Sequence, residues 1–281
     1  MSPKSGTGKY AQLLVKCKSL EAVPTAVVYP CEETALAGAI EAGDKGLIDP
    51  ILVGPVAKIS GIAKSSCIDL GRIQVIDAAD SGTAAAKAVG LVREGKAELL
   101  MKGSLHTDEL LAAVVARETG LRTGRRISHV FIMDVPTYHK VLIVTDAAIN
   151  IAPTLEDKVD ICQNAIDLAT SLGLAEPKVA ILAAVETVNS KMPATLDAAA
   201  LCKMAERGQI TNGLLDGPLA FDNAISKQAA QTKGIRSEVA AIPTFSSRRI
   251  SRRATSWPRC LASSPMPTAP VSYSARVYPS S

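Results

Sequence analysis

Eight short apolar runs rich in β-branched residues alternate along this chain with amphipathic stretches, and that alternation limits its folds more than any other feature. The runs fall at residues 25–30, 50–54, 72–78, 98–102, 129–135, 140–146, 178–185 and 211–215. Between most of them, apolar residues in 31–42, 80–94, 107–118, 155–172, 194–207 and 222–232 recur every three or four positions. That spacing gives a helix one buried face. Strand and helix in alternation predict an α/β fold, a largely parallel sheet covered by helices on both faces. Residues 129–146 break the rhythm, because Pro136-Thr137-Tyr138-His139 joins two runs with a hairpin-length link. The change from one subdomain to the next is therefore placed near Ser128, giving a first α/β subdomain over 8–127 and a second over 128–239. No period repeats, which excludes a solenoid.

Local signals support several helix boundaries. Asp80 precedes Ser81-Gly82-Thr83, Thr107 precedes Asp108-Glu109, and Thr154 stands three residues before Asp157 in a near capping box. Gly95 and Gly173 mark expected helix ends.

Charge argues against a nucleic-acid partner. The 281 residues carry a net +4, but the last 43, from Val239, hold six Arg and no acid, leaving 25 bases against 27 acids in the first 238. Only 3% of residues are aromatic, too few for platforms that stack single-stranded bases. The longest apolar runs are too short to span a bilayer and no leader opens the chain, so no membrane partner and a cytoplasmic location are expected. Six cysteines form no C-x-x-C pair and read as reduced thiols.

The segment 240–281 differs in kind. From Val239 onward the chain has no Asp, Glu, Lys, Gly, Asn, Gln or His, and Ser, Pro and Arg make up 22 of 43 residues. It lacks helical and strand periodicity, and we expect it to be disordered. Naturally disordered tails are typically rich in Glu, Gln, Lys and Gly as well. The composition therefore favours a shifted reading frame over a natural tail, and translating the other two frames from the Val239 codon tests this.

Ligands of open α/β sheets gather at the carboxyl ends of strands, where loops and helix N-termini present free N–H groups. Four such ends stand out. Lys102-Gly103-Ser104 supplies a cation, a backbone that can be approached closely and a hydroxyl before a helix start, a combination suited to an anion or equally to an ordinary capped turn. Thr145-Asp146-Ala147-Ala148-Ile149-Asn150 offers a carboxylate and an amide, which usually satisfy local backbone. Asn189-Ser190-Lys191 pairs a lysine with a hydroxyl. Asp216-Gly217-Pro218, read as a turn after a strand ending at Leu215, stands six residues before Asp222. Gly6-Thr7-Gly8-Lys9 hints at a nucleotide loop but has Tyr10 at the Ser/Thr position and no preceding strand. The histidines at 106, 129 and 139 show no ligand spacing, and no metal site is expected.

Taken together, Met101-Lys102-Gly103, the segment from Thr145-Asp146 to Asn150, Ser190-Lys191-Met192-Pro193-Ala194-Thr195 and Asp216-Gly217-Pro218-Leu219-Ala220-Phe221-Asp222-Asn223-Ala224 resemble the phosphate acetyl/butyryltransferase family over about residues 8–239. The likeness is greatest to the short form that follows enoyl-CoA hydratase-like domains. It implies a two-subdomain α/β/α fold like isocitrate and isopropylmalate dehydrogenases, a homodimer with its active cleft between subdomains, and the reaction acyl-CoA + phosphate ⇌ acyl phosphate + CoA. Coenzyme A is then a substrate, and no cofactor or metal is required. Lys102, Gly103, Ser104, Asn150, Ser190, Lys191, Asp216, Gly217 and Pro218 become the candidate substrate-binding residues, with Asp216 and Asn150 positioning their neighbours. The likeness stops after Ser237-Glu238-Val239. Ser247-Arg248 and Ser251-Arg252 are not preceded by a recognisable strand, and the family's C-terminal Ser-Arg role is not carried onto them. Impaired catalysis is expected. A non-catalytic CoA-binding remnant and a dehydrogenase on the same superfamily fold are the alternatives.

Overall fold

A computed structural model of the chain describes residues 8–240 and the backbones of 245–247 and 274–276. The chain divides into two units. The first comprises residues from Leu14 to Gly124 and the strand at 274–276. The second comprises the described residues up to Leu13 and those from Arg125 to Ser247. Helix α1 (Lys9–Cys17) crosses the division. Its start belongs to the second unit because Asp134 accepts a hydrogen bond from the Tyr10 N–H at 3.0 Å and pairs with the Lys9 ammonium at 3.0 Å. Lys9, the lysine of the nucleotide-loop-like motif, is thereby committed to a structural contact.

In the first unit the elements run β1 (Val23–Val28), α2 (Glu33–Asp44), β2 (Ile48–Gly54), α3 (Val56–Ser65), β3 (Val75–Asp77), α4 (Ser81–Arg93), β4 (Leu99–Lys102) and α5 (Thr107–Val114). Strands β1 to β4 pair in parallel. Pleating sends alternate residues to opposite faces. Val27 and Leu52 pack with Leu36, Ala39, Ile59 and Ala63 of α2 and α3, while α4 lies against β1, β2 and β4 and carries α5. The Asp80 carboxylate accepts the Thr83 N–H at 2.8 Å and caps α4 as expected. Helix α5 is different. His106, not Thr107, is its N-cap residue, and it makes no side-chain cap bond.

The second unit contains β5 (Val130–Met133), β6 (Leu142–Thr145), α6 (Leu155–Ser171), β7 (Lys178–Leu182), α7 (Pro193–Glu206), β8 (Leu214–Leu219), α8 (Phe221–Ile225), α9 (Lys227–Thr232) and β9 (Phe245–Ser247). β5 and β6 form the expected antiparallel hairpin, and the sheet order is β5-β6-β9-β7-β8. Again both faces are covered. Val179 and Ile181 meet α6 and α7, whereas Ala180 meets α8, α9 and Val239. Thr154 and Asp157 complete a reciprocal capping box on α6. The single helix expected at 222–232 is two, because Ser226 interrupts it and caps α9 by accepting the Ala229 N–H.

Two expectations are corrected here. Asp216-Gly217-Pro218 is not a turn beyond a strand but lies within β8. There Ala180 pairs with Asp216 and Leu182 with Leu219, so β8 carries an extra residue opposite β7, a bulge that tolerates Pro. Ser247 of the Ser247-Arg248 pair is itself the last residue of a strand. Phe245–Ser247 fills the slot between β6 and β7, where tertiary pairing outweighs a weak local preference. The sheet edge at β4 is likewise paired, by the antiparallel strand β10 (Ser274–Arg276). The expected disorder of 240–281 otherwise falls outside the described residues. Among the described residues no helix is long and apolar enough to cross a membrane.

Candidate functional site

Parallel strands point their carboxyl ends to the same edge of a sheet. In the second unit, β6, β7 and β8 therefore deliver three segments to one edge: 146–154, 183–192 and the end of β8 leading into α8. In the first unit, β4 delivers Lys102-Gly103-Ser104 beside the end of β1.

The first-unit loop is stitched to β1. The Gly103 N–H donates to the Val28 carbonyl at 2.9 Å and the Ser104 N–H to the Tyr29 carbonyl at 2.8 Å. A Cβ at Gly103 would stand 2.6 Å from the Val28 oxygen, so only glycine permits this approach. The Lys102 ammonium makes a 3.3 Å contact with the Gly103 carbonyl. The Ser104 hydroxyl is enclosed and has no hydrogen-bond partner among the described residues.

In the second unit, Asp146 and Asn150 are both buried, and they build the loop after β6 from inside. The Asp146 carboxylate accepts the N–H groups of Ala148, Ile149 and Asn150 at 2.9, 3.0 and 3.2 Å, and the Asn150 side-chain amide as well. That amide also donates to the Ile127 carbonyl at 2.9 Å, while its oxygen accepts from the Arg126 guanidinium at 2.6 Å. Asn150 thus shapes the loop with both polar atoms of its side chain and its backbone N–H. His129, buried beside this loop, has its imidazole pKa pushed below the ordinary value by burial, against the pull of the nearby Asp146 charge.

A pH dependence follows. The unfolded His129 titrates near 6.5, and the folded group titrates lower. Its contribution to stability is complete above about pH 6.5 and is lost as the pH falls through the lower folded value. Urea midpoints should therefore drop between pH 7.5 and 5.5, and a His129→Leu variant should show a flatter profile.

Ser190 and Lys191 are exposed on the connection from β7 to α7. Its far side is wound around Thr195, a fully buried residue whose hydroxyl accepts the Asn189 N–H at 2.9 Å and has the Met192 carbonyl as an acceptor at 2.8 Å. Asp216 accepts its neighbour Gly217 N–H at 2.8 Å. Behind it, burial first and then the Asp216 charge push the Cys202 thiol up to about 12, so it is an inert neutral thiol. The five cysteines among the described residues are all free.

Two shallow concavities are lined by other segments, one at the amino edge of the first sheet beside Ile48, Asp49 and Pro50 and one along α9 that reaches Lys233. The candidate site is therefore defined by loops. Its structural residues Asp146, Glu186, Asn223 and Lys233 were not among the candidate substrate-binding residues, although the Asp146 carboxylate was noted in its loop. The Asp-to-Asn spacing around 146–150 was a usable signal for the first, whereas Glu186 and Lys233 meet across 47 residues and leave no local trace.

Doubly covered, largely parallel sheets with cationic and hydroxyl-bearing loops at their carboxyl ends define an α/β protein. The sequence pattern described as Phosphate acetyl/butaryl transferase matches residues 82–245. The chain is 62% identical over 232 residues to a phosphate acetyltransferase of Rhizobium meliloti, covering 83% of this chain and 73% of that one. It is 41% identical over 231 residues to a phosphate butyryltransferase of Clostridium acetobutylicum, covering 82% and 77%. The branched-chain phosphotransacylase structure from Enterococcus faecalis V583 superposes with a TM-score of 0.65 at 26% identity, covering 80% of this chain and 78% of that one. The chain belongs to the phosphate acetyl/butaryl transferase family. It spans between 63% and 77% of the length of these and other curated relatives.

Proposed function

We propose that the chain's loops bind acyl-CoA and inorganic phosphate for the reaction acyl-CoA + phosphate ⇌ acyl phosphate + CoA. A phosphate oxygen attacks the thioester carbonyl, the carbon–sulfur bond breaks, and CoA leaves as a thiolate that takes up a proton. Nothing in this sequence of steps calls for a metal or a resident cofactor. It calls for holding two anions in line and for donors aimed at the developing oxyanion. Lys102, Ser104, Ser190 and Lys191 are the groups whose chemistry suits the anions. Gly103 allows the close backbone approach, Asn150 shapes its loop, and Asp216, Gly217 and Pro218 set the end of β8. A homodimer and the two-subdomain arrangement of isocitrate and isopropylmalate dehydrogenases belong to the same proposal.

The observation that carries this reading is the parallel run of β6, β7 and β8, which gathers family-like motifs at one sheet edge. In calorimetric titrations, Lys102→Ala and Lys191→Ala are each expected to weaken CoA binding about tenfold, as loss of one charge-assisted contact does. Unchanged affinity in both variants would count against the reading.

We further propose that turnover by this chain is reduced. The family match ends at residue 245, and the sequence from Val239 onward is rich in Ser, Pro and Arg and holds no acid.

A further inference from the structure

Lys191 is useful as an anion contact only if its loop is held in place, and the structure holds that loop through a carboxylate with no assigned role. Glu186 lies on the same connection from β7 to α7, and its side chain is 24% exposed. One of its oxygens accepts from the Lys233 ammonium at 2.5 Å and also from the side-chain amide of Asn223. Asn223 sits on α8, is 0% exposed, and cannot shift without moving the core around it. Lys233, just past α9, also lies 3.6 Å from Asp222. The segment 187–191 is thus anchored on one side by Glu186 to α8 and α9 and on the other by Thr195 to the start of α7.

We propose that Glu186 is a positioning residue for Lys191, fixing its loop relative to the end of β8 while Lys233 cancels a charge that would otherwise repel an approaching anion. The electrostatics are consistent. The Lys233 ammonium holds the Glu186 carboxyl below its ordinary range and is itself held more firmly protonated. α8 begins two residues after Leu219, so a clamp on Asn223 is a clamp on the carboxyl end of β8. The inference rests on the proposed binding of CoA at Lys191 and adds the residue that makes this contact possible.

The test is a double-mutant cycle on the full chain, with CoA as the titrated ligand. Glu186→Ala should weaken CoA binding about tenfold, the range of coupling between residues in one network. Glu186→Gln, which keeps an acceptor for Asn223, should recover most of it. The effect of Glu186→Ala should vanish when Lys191 is already alanine. An undiminished effect in that background would mean a general structural role and overturn the inference, as would normal affinity in Glu186→Ala beside a weakened Lys191→Ala. If Lys191→Ala binds CoA normally, or the unsubstituted chain does not bind it, the underlying reading fails and the inference with it. Should Glu186→Ala not fold, Lys233→Met must show the same Lys191-dependent loss, and its absence overturns the inference.

Discussion

Replacing Gly217 by alanine is expected to lower the unfolding free energy by about 2–3 kcal/mol, the cost of forcing extra volume into a packed core. The added Cβ would lie 2.7 Å from the Ile181 carbonyl oxygen, 2.8 Å from the Ile181 Cβ and 3.4 Å from the Ala198 Cβ. The first two are parts of the neighbouring strand β7, not the free end of a side chain, so relief requires moving the sheet. The bulge in β8 brings the two backbones this close. Gly38 provides the control. It lies within α2 with nothing within 4 Å of its virtual Cβ, so alanine there should stabilise by about 1 kcal/mol through helix propensity. Urea denaturation of both variants reads the same chemical change with opposite signs.

Asp146→Ala is the second large effect, a loss of about 3 kcal/mol. The substitution removes a buried charged acceptor from three backbone N–H groups and one amide, and buried donors left unpaired carry their full desolvation cost. Asp146→Asn keeps one acceptor oxygen and should lose less. Thermal denaturation orders the three proteins as wild type, Asn and Ala. Because Asn150 shares its side-chain amide between Asp146 and Ile127, the Ala variant should also loosen the loop after β6, seen as faster hydrogen exchange at residues 148–150. An Ala variant as stable as the wild type would mean that water satisfies these donors.

Much of this architecture could be read from the sequence because its signals are local. Each of the eight apolar runs became a strand, and the caps at Asp80 and Thr154 formed as their residue types require. What escaped depends on distant partners. The Gly-Pro pair in 216–218 carries turn chemistry, yet pairing with β7 keeps it inside β8. Phe245-Ser246-Ser247 has little strand character of its own and is recruited between β6 and β7. Helix α3 follows Pro55 so closely, and is so rich in β-branched residues, that its periodicity passed unnoticed. Helix α1 buries no residue, so no core face announced it. At the site, the motif residues were recognisable by type, but their division of labour was not. Asn150 is committed to its own loop, while Lys191 is presented to solvent. Only the fold distinguishes the two.

The most direct test is to assay acyl phosphate release from acetyl-CoA and phosphate by the purified 281-residue chain, beside the Rhizobium meliloti relative and a CoA titration of the same sample. Saturable CoA binding with far slower turnover than that relative is the predicted result. A chain that leaves CoA unbound, or one that turns over as fast as the relative, would contradict the account.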